Sequence, residues 1–278
     1  MQNEYWKEEL KGLSSFNFSI KKTINEHNFE NSRSNILDFN ELELFLSQNN
    51  ISFFEFCISI LSLYLSRISG SEGIIFAYNN LTSNDTLFKI RYEGKNSLLD
   101  KIFNVKTVIF NSLKNSMGNL KEYVEELYPE YADYIFNYSI VDATKKSNVK
   151  NDDSSIRFII FNNAIEIEYD KNTFKRNEME FLLENIEYII KNFLKIINQP
   201  CCDINIVCDR QLNLLNEFSK GLNFDIKEKS LPDIICDMAK KYPNNFAIND
   251  EKNRITYQEL DKLINSTTSL IQNTYNIS

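Results

Sequence analysis

One histidine, five cysteines and a few carboxylate pairs are the side chains best able to do chemistry in this 278-residue chain. His27 sits in the polar run Asn25-Glu26-His27-Asn28. A general base needs a buried, oriented imidazole, and this neighbourhood reads instead as a solvated loop. Cys201, Cys202 and Cys208 are close in sequence, but adjacent cysteines ligate one metal poorly and no histidine stands near them. No zinc site is expected there. Glu125-Glu126 and Asp152-Asp153 read as solvated faces, because a paired acid and base requires burial. Gly118 and Gly221 stand alone, so no glycine loop cradles phosphate, and no serine sits in a nucleophile elbow. Lys145 to Lys150 is a small basic patch flanked by acid residues and reads as loop. The expectation is no catalytic residue, no cofactor and no metal site.

Composition narrows the classes further. The formal charge is −8, from 31 basic and 39 acidic side chains. Nucleic-acid binding, which needs a basic surface, is not expected. Aromatics at 13%, including 21 Phe and 14 Tyr, supply a sizeable core and exclude a chain disordered throughout. Only 6 Gly and 4 Pro are present, which excludes collagenous and glycine-rich linker architectures. The opening residues lack the basic-then-apolar order of a signal peptide. Ile51 to Ile68, the most apolar stretch, is interrupted by Ser52, Glu55, Ser59, Ser62 and Ser66, so it reads as a buried helix rather than a membrane span. The five cysteines read as free thiols, and the expected location is the cytoplasm.

The elements that would position any site follow from periodicity and punctuation. Helices are predicted over Gln2–Lys11, stopped by Gly12, and over a short stretch from Asn40 to Asn49 opened by an Asn40/Glu43 capping box. The buried helix opens on the capping box Ser52/Glu55 and ends at Gly70. Gly73–Tyr78 and Thr86–Glu93 read as strands, and Ser97 to about Ser116 as a helix. A short helix covers Leu120–Leu127 and stops near Pro129. Asp133–Val141 reads as an aromatic strand, and Asp142–Ser155 as a charged, mobile loop. Ile156–Phe161 and Ala164–Tyr169 form a hairpin around Asn162-Asn163. A long helix spans Phe174–Asn198. Phe16–Asn35 is polar and irregular. Past Pro200, residues 201–229 read as a linker with one helix near Arg210–Phe218. A further unit opens at Pro232, a first helical position, with strands Phe246–Asn249 and Arg254–Thr256 and a helix over Gln258–Tyr275. That last piece is too small to be a stable domain alone.

Ile255-Thr256-Tyr257-Gln258-Glu259-Leu260 resembles the opening [L/I]-T-Y-x-E-L motif of the adenylation domains of nonribosomal peptide synthetases. Leu231, Ile235, Ala239, Pro243, Ala247 and Ile248 are similar to the helix, proline and strand that precede it in that family. Arg210 to Leu215 resembles the segment joining a condensation domain to an adenylation domain. Tyr5 to Gly12 resembles the y-W-k-x-x-L-x-g helix in the middle of a condensation domain. Thr86 to Arg91 is similar to its N-T-L-x-x-R strand, Asn115 to Leu127 to its [H/N]-Q-D-x-P-F-E-x-L-V segment, and Phe136-Asn137-Tyr138 to its f-N-Y strand. Tyr169-Asp170 and the long helix ending at Pro200 match its C-terminal end.

The resemblance implies an α/β fold: a chloramphenicol-acetyltransferase-like lobe, a mixed sheet with packed helices, then a small truncated α/β piece at the C-terminus. The implied domains are residues 1–200, the condensation C-terminal lobe; 201–229, a linker; and 230–278, the N-terminal fragment of an adenylation domain. Implied partners are phosphopantetheinyl carrier domains and other synthetase modules, with no nucleic acid and no membrane. Several departures qualify this. The family's H-H-x-x-x-D-G motif is absent and His27 has none of it around it. Ser116-Met117 stand where Gln-Asp is expected, and Asn119-Leu120 where Pro-Phe is. The ATP-binding motifs are absent too. The expected function is a part of a nonribosomal peptide synthetase, inactive alone. The alternatives are the interaction half of a split synthetase that docks a separately encoded N-terminal lobe, a stand-alone acyltransferase using His27, and a degraded gene product with no present function.

Overall fold

The computed structural model describes residues 2–13, 28–35, 40–79, 85–145, 154–221, 230–250 and 254–275. The chain divides into two compact units, Met1–Glu217 and Phe218–Ser278. Along unit 1 run α1 (Gln2–Glu9), β1 (Phe29–Asn35), α2 (Asn40–Gln48), α3 (Phe53–Ser69), β2 (Gly73–Asn79), β3 (Asp85–Arg91) and α4 (Leu98–Lys114). These are followed by α5 (Leu120–Leu127), α6 (Pro129–Ile135), β4 (Tyr138–Asp142), β5 (Ile156–Ile160), β6 (Ala164–Asp170), α7 (Arg176–Lys191), α8 (Phe193–Ile196) and α9 (Asp209–Ser219), whose last two residues fall past the Glu217 boundary.

Among the described residues of unit 1, six strands form one mixed sheet in the order β1-β6-β5-β4-β2-β3. β2, β4 and β5 run parallel; β3 pairs antiparallel with β2, β6 with β5, and β1 with β6. Alternation along each strand sends Ile74, Phe76, Ile140, Phe158 and Ile167 to the face covered by α3, α4 and α7, where the large core lies. The opposite face carries a second apolar cluster at β2 and β3, where Ile75, Ala77 and Leu87 meet Trp6, Leu120 and Ile135. Farther along that face the chemistry turns polar. Arg157, 2% exposed, pairs with Glu168 and lies 5.9 Å from the Phe29 ring, and Arg33 stacks on Phe161 at 4.6 Å.

Caps set the ends of the two long helices. Ser52 and Glu55 make a reciprocal capping box on α3, and Gly70 closes it at φ 65°, where a residue with a Cβ is strained. Ser97 and Asp100 repeat the box on α4.

Four expectations change. Part of the stretch read as irregular is β1, an edge strand whose polar residues pair with polar residues of β6; Asn31 donates to Glu166 at 2.9 Å. It lacks the apolar alternation that marks a half-buried strand. Pro129 opens a helix, α6, besides closing one, because a missing N–H costs nothing at the first helical position. Residues 133–135, read as strand, therefore belong to α6, and β4 begins at Tyr138. The long C-terminal helix breaks at Asn192, whose side-chain amide turns back onto the Tyr188 carbonyl at 2.9 Å. The Asp142–Ser155 loop and the Lys145–Lys150 patch lie largely outside the described residues.

Residues 201–208, which open the stretch read as a linker, are packed into unit 1. Cys201 and Ile204 are buried in the large core. The Cys201 and Cys202 N–H groups donate to Asn96 and Gly94 at 2.8 Å each, and Arg67 donates to the Ile204 carbonyl. Asn185, 2% exposed, accepts from the Cys208 N–H at 2.9 Å and donates to the Tyr64 hydroxyl at 2.8 Å and to Gln211 at 3.1 Å.

Unit 2 contains α10 (Leu231–Lys241), β7 (Phe246–Asn249), β8 (Arg254–Thr256) and α11 (Tyr257–Tyr275). β7 and β8 pair antiparallel, and α10 opens on Ser230 with Pro232 in its first turn. Among its described residues only Ala239 is a buried apolar side chain. No single described helix of the chain is long and apolar enough to cross a membrane.

Candidate functional site

One concavity among the described residues of unit 1 lies at the carboxyl ends of β2 and β4, where open α/β sheets hold ligands. It is a cleft of about 310 Å³. The N-terminal turn of α3 brings Phe54 and Glu55, β2 brings Tyr78, one residue before its end, α4 adds Ile109, β4 ends on Asp142, and the β5–β6 turn adds Asn162. Phe54 and Tyr78 lie 5.8 Å apart, and Tyr78 stacks on Phe88 at 5.0 Å. Asp142, 4% exposed, accepts from the Thr144 N–H at 3.2 Å and from its hydroxyl, an Asx turn that fixes the carboxylate. Glu55 accepts from the Ser52 N–H at 2.7 Å. No described residue lining the cleft is a histidine, cysteine, lysine or arginine. The walls supply acceptors and apolar surface, and no described nucleophile beyond hydroxyls and carboxylates.

Elsewhere, two lysines, Lys89 and Lys101, are buried. Lys89 donates to the Glu9 carbonyl and, at 2.8 Å, to that of Lys11, at the C-terminal end of α1 where the helix dipole favours a cation. Burial, and then the nearby Arg91, lower its pKa to about 8, with Glu9 opposing. Lys101 reaches the Arg91 carbonyl at 3.5 Å. Burial lowers its pKa to about 8 as well, while Cys201 and Glu93 pull it back up. Burial pushes the Cys201 thiol up in turn, and Cys57 well up.

The sequence singled out few reactive residues, and they do not converge. His27 lies outside the described residues. Cys201 and Cys208 are buried and Cys202 is exposed, all as free thiols. No group of three or more His, Cys, Asp and Glu gathers as a metal site among the described residues. Sequence reasoning missed Asp142, Lys89 and Lys101. The available signal was a charged residue embedded in or ending an apolar run, as in Leu87-Phe88-Lys89-Ile90 and Ile140-Val141-Asp142.

The motif residues prove to be structural ties. Trp6 is fully buried and its indole donates to the Asn115 carbonyl at 2.9 Å. The Thr86 hydroxyl donates to the Ser112 carbonyl at 2.9 Å, and Asn137, fully buried, accepts from the Ser155 N–H at 3.3 Å. In Thr256-Tyr257-Gln258-Glu259 the spacing is that of a capping box on α11. The Glu259 N–H donates to the Thr256 hydroxyl at 3.3 Å, and the Thr256 N–H donates to Glu259 at 2.9 Å. The Thr256 N–H and hydroxyl, both donating to it, hold the Glu259 carboxyl below its ordinary value.

Comparison with known proteins gives this architecture its class. No family model matches the chain. A curated relative, one of the subunits of mycosubtilin synthase from Bacillus subtilis, is 23% identical over 206 residues, 72% of this chain and 8% of its own length. The four-domain nonribosomal peptide synthetase AB3403, solved with AMP and glycine, aligns with a TM-score of 0.68 at 11% identity, over 98% of this chain and 25% of that one. The starter condensation domain of rhizomide synthetase RzmA aligns with a TM-score of 0.53 at 9% identity, over 74% of this chain and 54% of that one. Unit 1 thus has the α/β architecture of a condensation domain's C-terminal lobe. The chain is condensation-domain-like and similar to nonribosomal peptide synthetases, spanning under a tenth of the curated relative it matches.

Proposed function

We propose that the chain is a non-autonomous part of a nonribosomal peptide synthetase. Unit 1 serves as the C-terminal lobe of a condensation domain, and residues 230–278 as the first elements of an adenylation domain. In this reading unit 1 forms one wall of a chamber in which an amine on one carrier-bound aminoacyl group attacks the thioester on another. Residues 201–229 lead from lobe to adenylation start, their first part held on the lobe by Arg67 and Asn185. The partners are carrier domains and neighbouring synthetase modules, and the setting is cytoplasmic.

The supporting observation is the ordered set of motif residues, from Trp6 through Asn137 to Thr256 and Glu259, each filling a structural tie in sequence order. The proposal adds that this polypeptide alone makes no peptide bond. Its 278 residues hold one histidine and no H-H-x-x-x-D-G, so the motif that supplies the family's imidazole for general-base or oxyanion work is absent from the sequence. The test incubates purified protein with two aminoacyl-loaded carrier domains and follows dipeptidyl product by mass spectrometry, with ATP–pyrophosphate exchange in parallel. Neither activity is expected. Product formation by the lone chain, above all if it survives His27→Ala, overturns the reading.

A second reading, an interaction half completed by a separately encoded N-terminal lobe, predicts that such a lobe co-purifies with this chain and restores condensation.

A further inference from the structure

Strand β1 lies at one end of the six-stranded sheet, with β6 on one side and no other described strand on the far side. The ladder fixes which way its main chain points. The Lys171 N–H donates to the Asn28 carbonyl at 2.9 Å, so these two residues form a hydrogen-bonded pair just outside the strands. The Asp170 N–H, one residue earlier, donates instead toward β5, to the Ser155 carbonyl at 3.0 Å. Hydrogen-bonded pairs alternate along an antiparallel ladder. Glu30, Ser32 and Ser34 therefore bond to β6, while the N–H and C=O of Phe29, Asn31, Arg33 and Asn35 turn to the far side. There, Asn31 and Arg33 have no main-chain partner among the described residues. An edge of this kind is a template for another strand unless it is short, bulged, or guarded by proline or an unpaired charge. β1 has seven residues, no proline, and no register shift against β6. Its two charges are engaged, Glu30 with Arg176 at 3.4 Å, and Arg33 with Glu166 at 3.9 Å and over the Phe161 ring.

We propose that β1 pairs antiparallel with β1 of a second copy of this chain, about a two-fold axis at Ser32, joining two sheets edge to edge. Centring the pair on Ser32 is the one antiparallel register that engages every residue of the strand. It sets the outward-turned residues opposite one another, Asn31 to Arg33 and Phe29 to Asn35, as hydrogen-bonded pairs require. Ser32 then faces its own copy in a pair without main-chain bonds. No like charges stand directly opposite, because Arg33 faces Asn31 and Glu30 faces Ser34. With one acid and one base the strand is neutral, so a second copy brings no net charge to the contact. The contact is the same patch on both copies, so it closes as a dimer. The inference stands on the strand alone; its failure would leave the synthetase reading untouched.

The test follows the full chain by sedimentation velocity over a range of concentrations. A monomer–dimer equilibrium is expected with a Kd on the order of 100 µM, since one strand pair lies below the standard interface size. Asn31→Pro removes an outward N–H that the β6 ladder does not use, and should weaken the dimer at least about tenfold with the fold kept. Asn31→Lys, at an exposed position, sets a cation opposite Arg33 in both halves of the contact and should weaken it about fivefold. It decides the matter if Asn31→Pro does not fold. Register is read by cross-linking in a Cys202→Ser background, which removes an exposed thiol. Ser32→Cys should give a disulfide-linked dimer on mild oxidation, its copies lying about 4.5 Å apart at Cα. Asn31→Cys should not, its copies being diagonal neighbours about 7–8 Å apart. A chain that stays monomeric to about ten times the expected Kd, a dimer indifferent to both Asn31 variants, or equal cross-linking from Ser32→Cys and Asn31→Cys would overturn the proposal.

Discussion

Helix α3 in unit 1 buries thirteen of its 17 residues, whereas the 19-residue α11 in unit 2 buries none. Both segments carry apolar residues at helical spacing, and both begin with a reciprocal Ser/Thr–Glu cap. The difference lies in what each packs against. α3 lies on a six-stranded sheet whose central strand β5 is buried at every position. In unit 2 a two-stranded ribbon and one other helix leave Leu231, Phe246, Leu263 and Leu270 more than half exposed. Local signals specify the helix; only enough neighbouring surface turns an apolar stripe into a core.

The widest gap between the units should appear on truncating their apolar residues. Phe158→Ala, at a fully buried site 6.0 Å from the Phe76 ring, should cost unit 1 about 3–5 kcal/mol in urea unfolding. Leu270→Ala, 68% exposed, should stay within about 0.5 kcal/mol. Equal costs would erase the contrast.

The tie between unit 1 and residues 201–211 comes next. Asn185→Ala leaves the Cys208 N–H and the Tyr64 hydroxyl without their Asn185 partner, and should cost about 1–3 kcal/mol. Limited proteolysis should then cut first near residues 203–208. Unchanged stability together with an unchanged cleavage pattern would show that the tie contributes nothing.

A smaller, pH-dependent effect sharpens what burial means in unit 1. Folding lowers the pKa of Lys101 from its ordinary 10.5 to about 8, so between those values the unfolded chain holds more protons and stability rises with pH. The thiols of Cys57 and Cys201, raised by burial, act in the opposite sense once pH passes the ordinary thiol value of 9.0. Comparing Lys101→Met with wild type isolates the lysine. The variant should be the more stable at pH 7, by about 1 kcal/mol or more, and the gap should narrow by pH 9.5. A gap that is constant with pH would mean that Lys101 is not desolvated.

Sequence made the local devices of unit 1 legible. The Ser52/Glu55 and Ser97 starts, the Gly70 stop and the Asn162-Asn163 hairpin are all found, because each rests on residues within a few positions of one another. What stayed hidden depends on partners far away in sequence. β1 is a strand only because β6 offers polar partners, and α6 forms where its aromatic residues had suggested a strand. The cleft was invisible for the same reason. Glu55, Tyr78 and Asp142 meet only because β2 and β4 pair in parallel beside the start of α3. The motif residues were legible as a resemblance, but not as ties; Thr256 and Glu259 show that a family signature can be a helix cap.

Native-state hydrogen exchange on the full chain, read peptide by peptide, tests most directly the claim of a cored lobe followed by a unit whose described residues bury one apolar side chain, Ala239. Amides of α3, β4, β5 and β6 should exchange only through global unfolding, and those of α10 and α11 orders of magnitude faster. Protection of α10 and α11 equal to that of β5 would contradict the account.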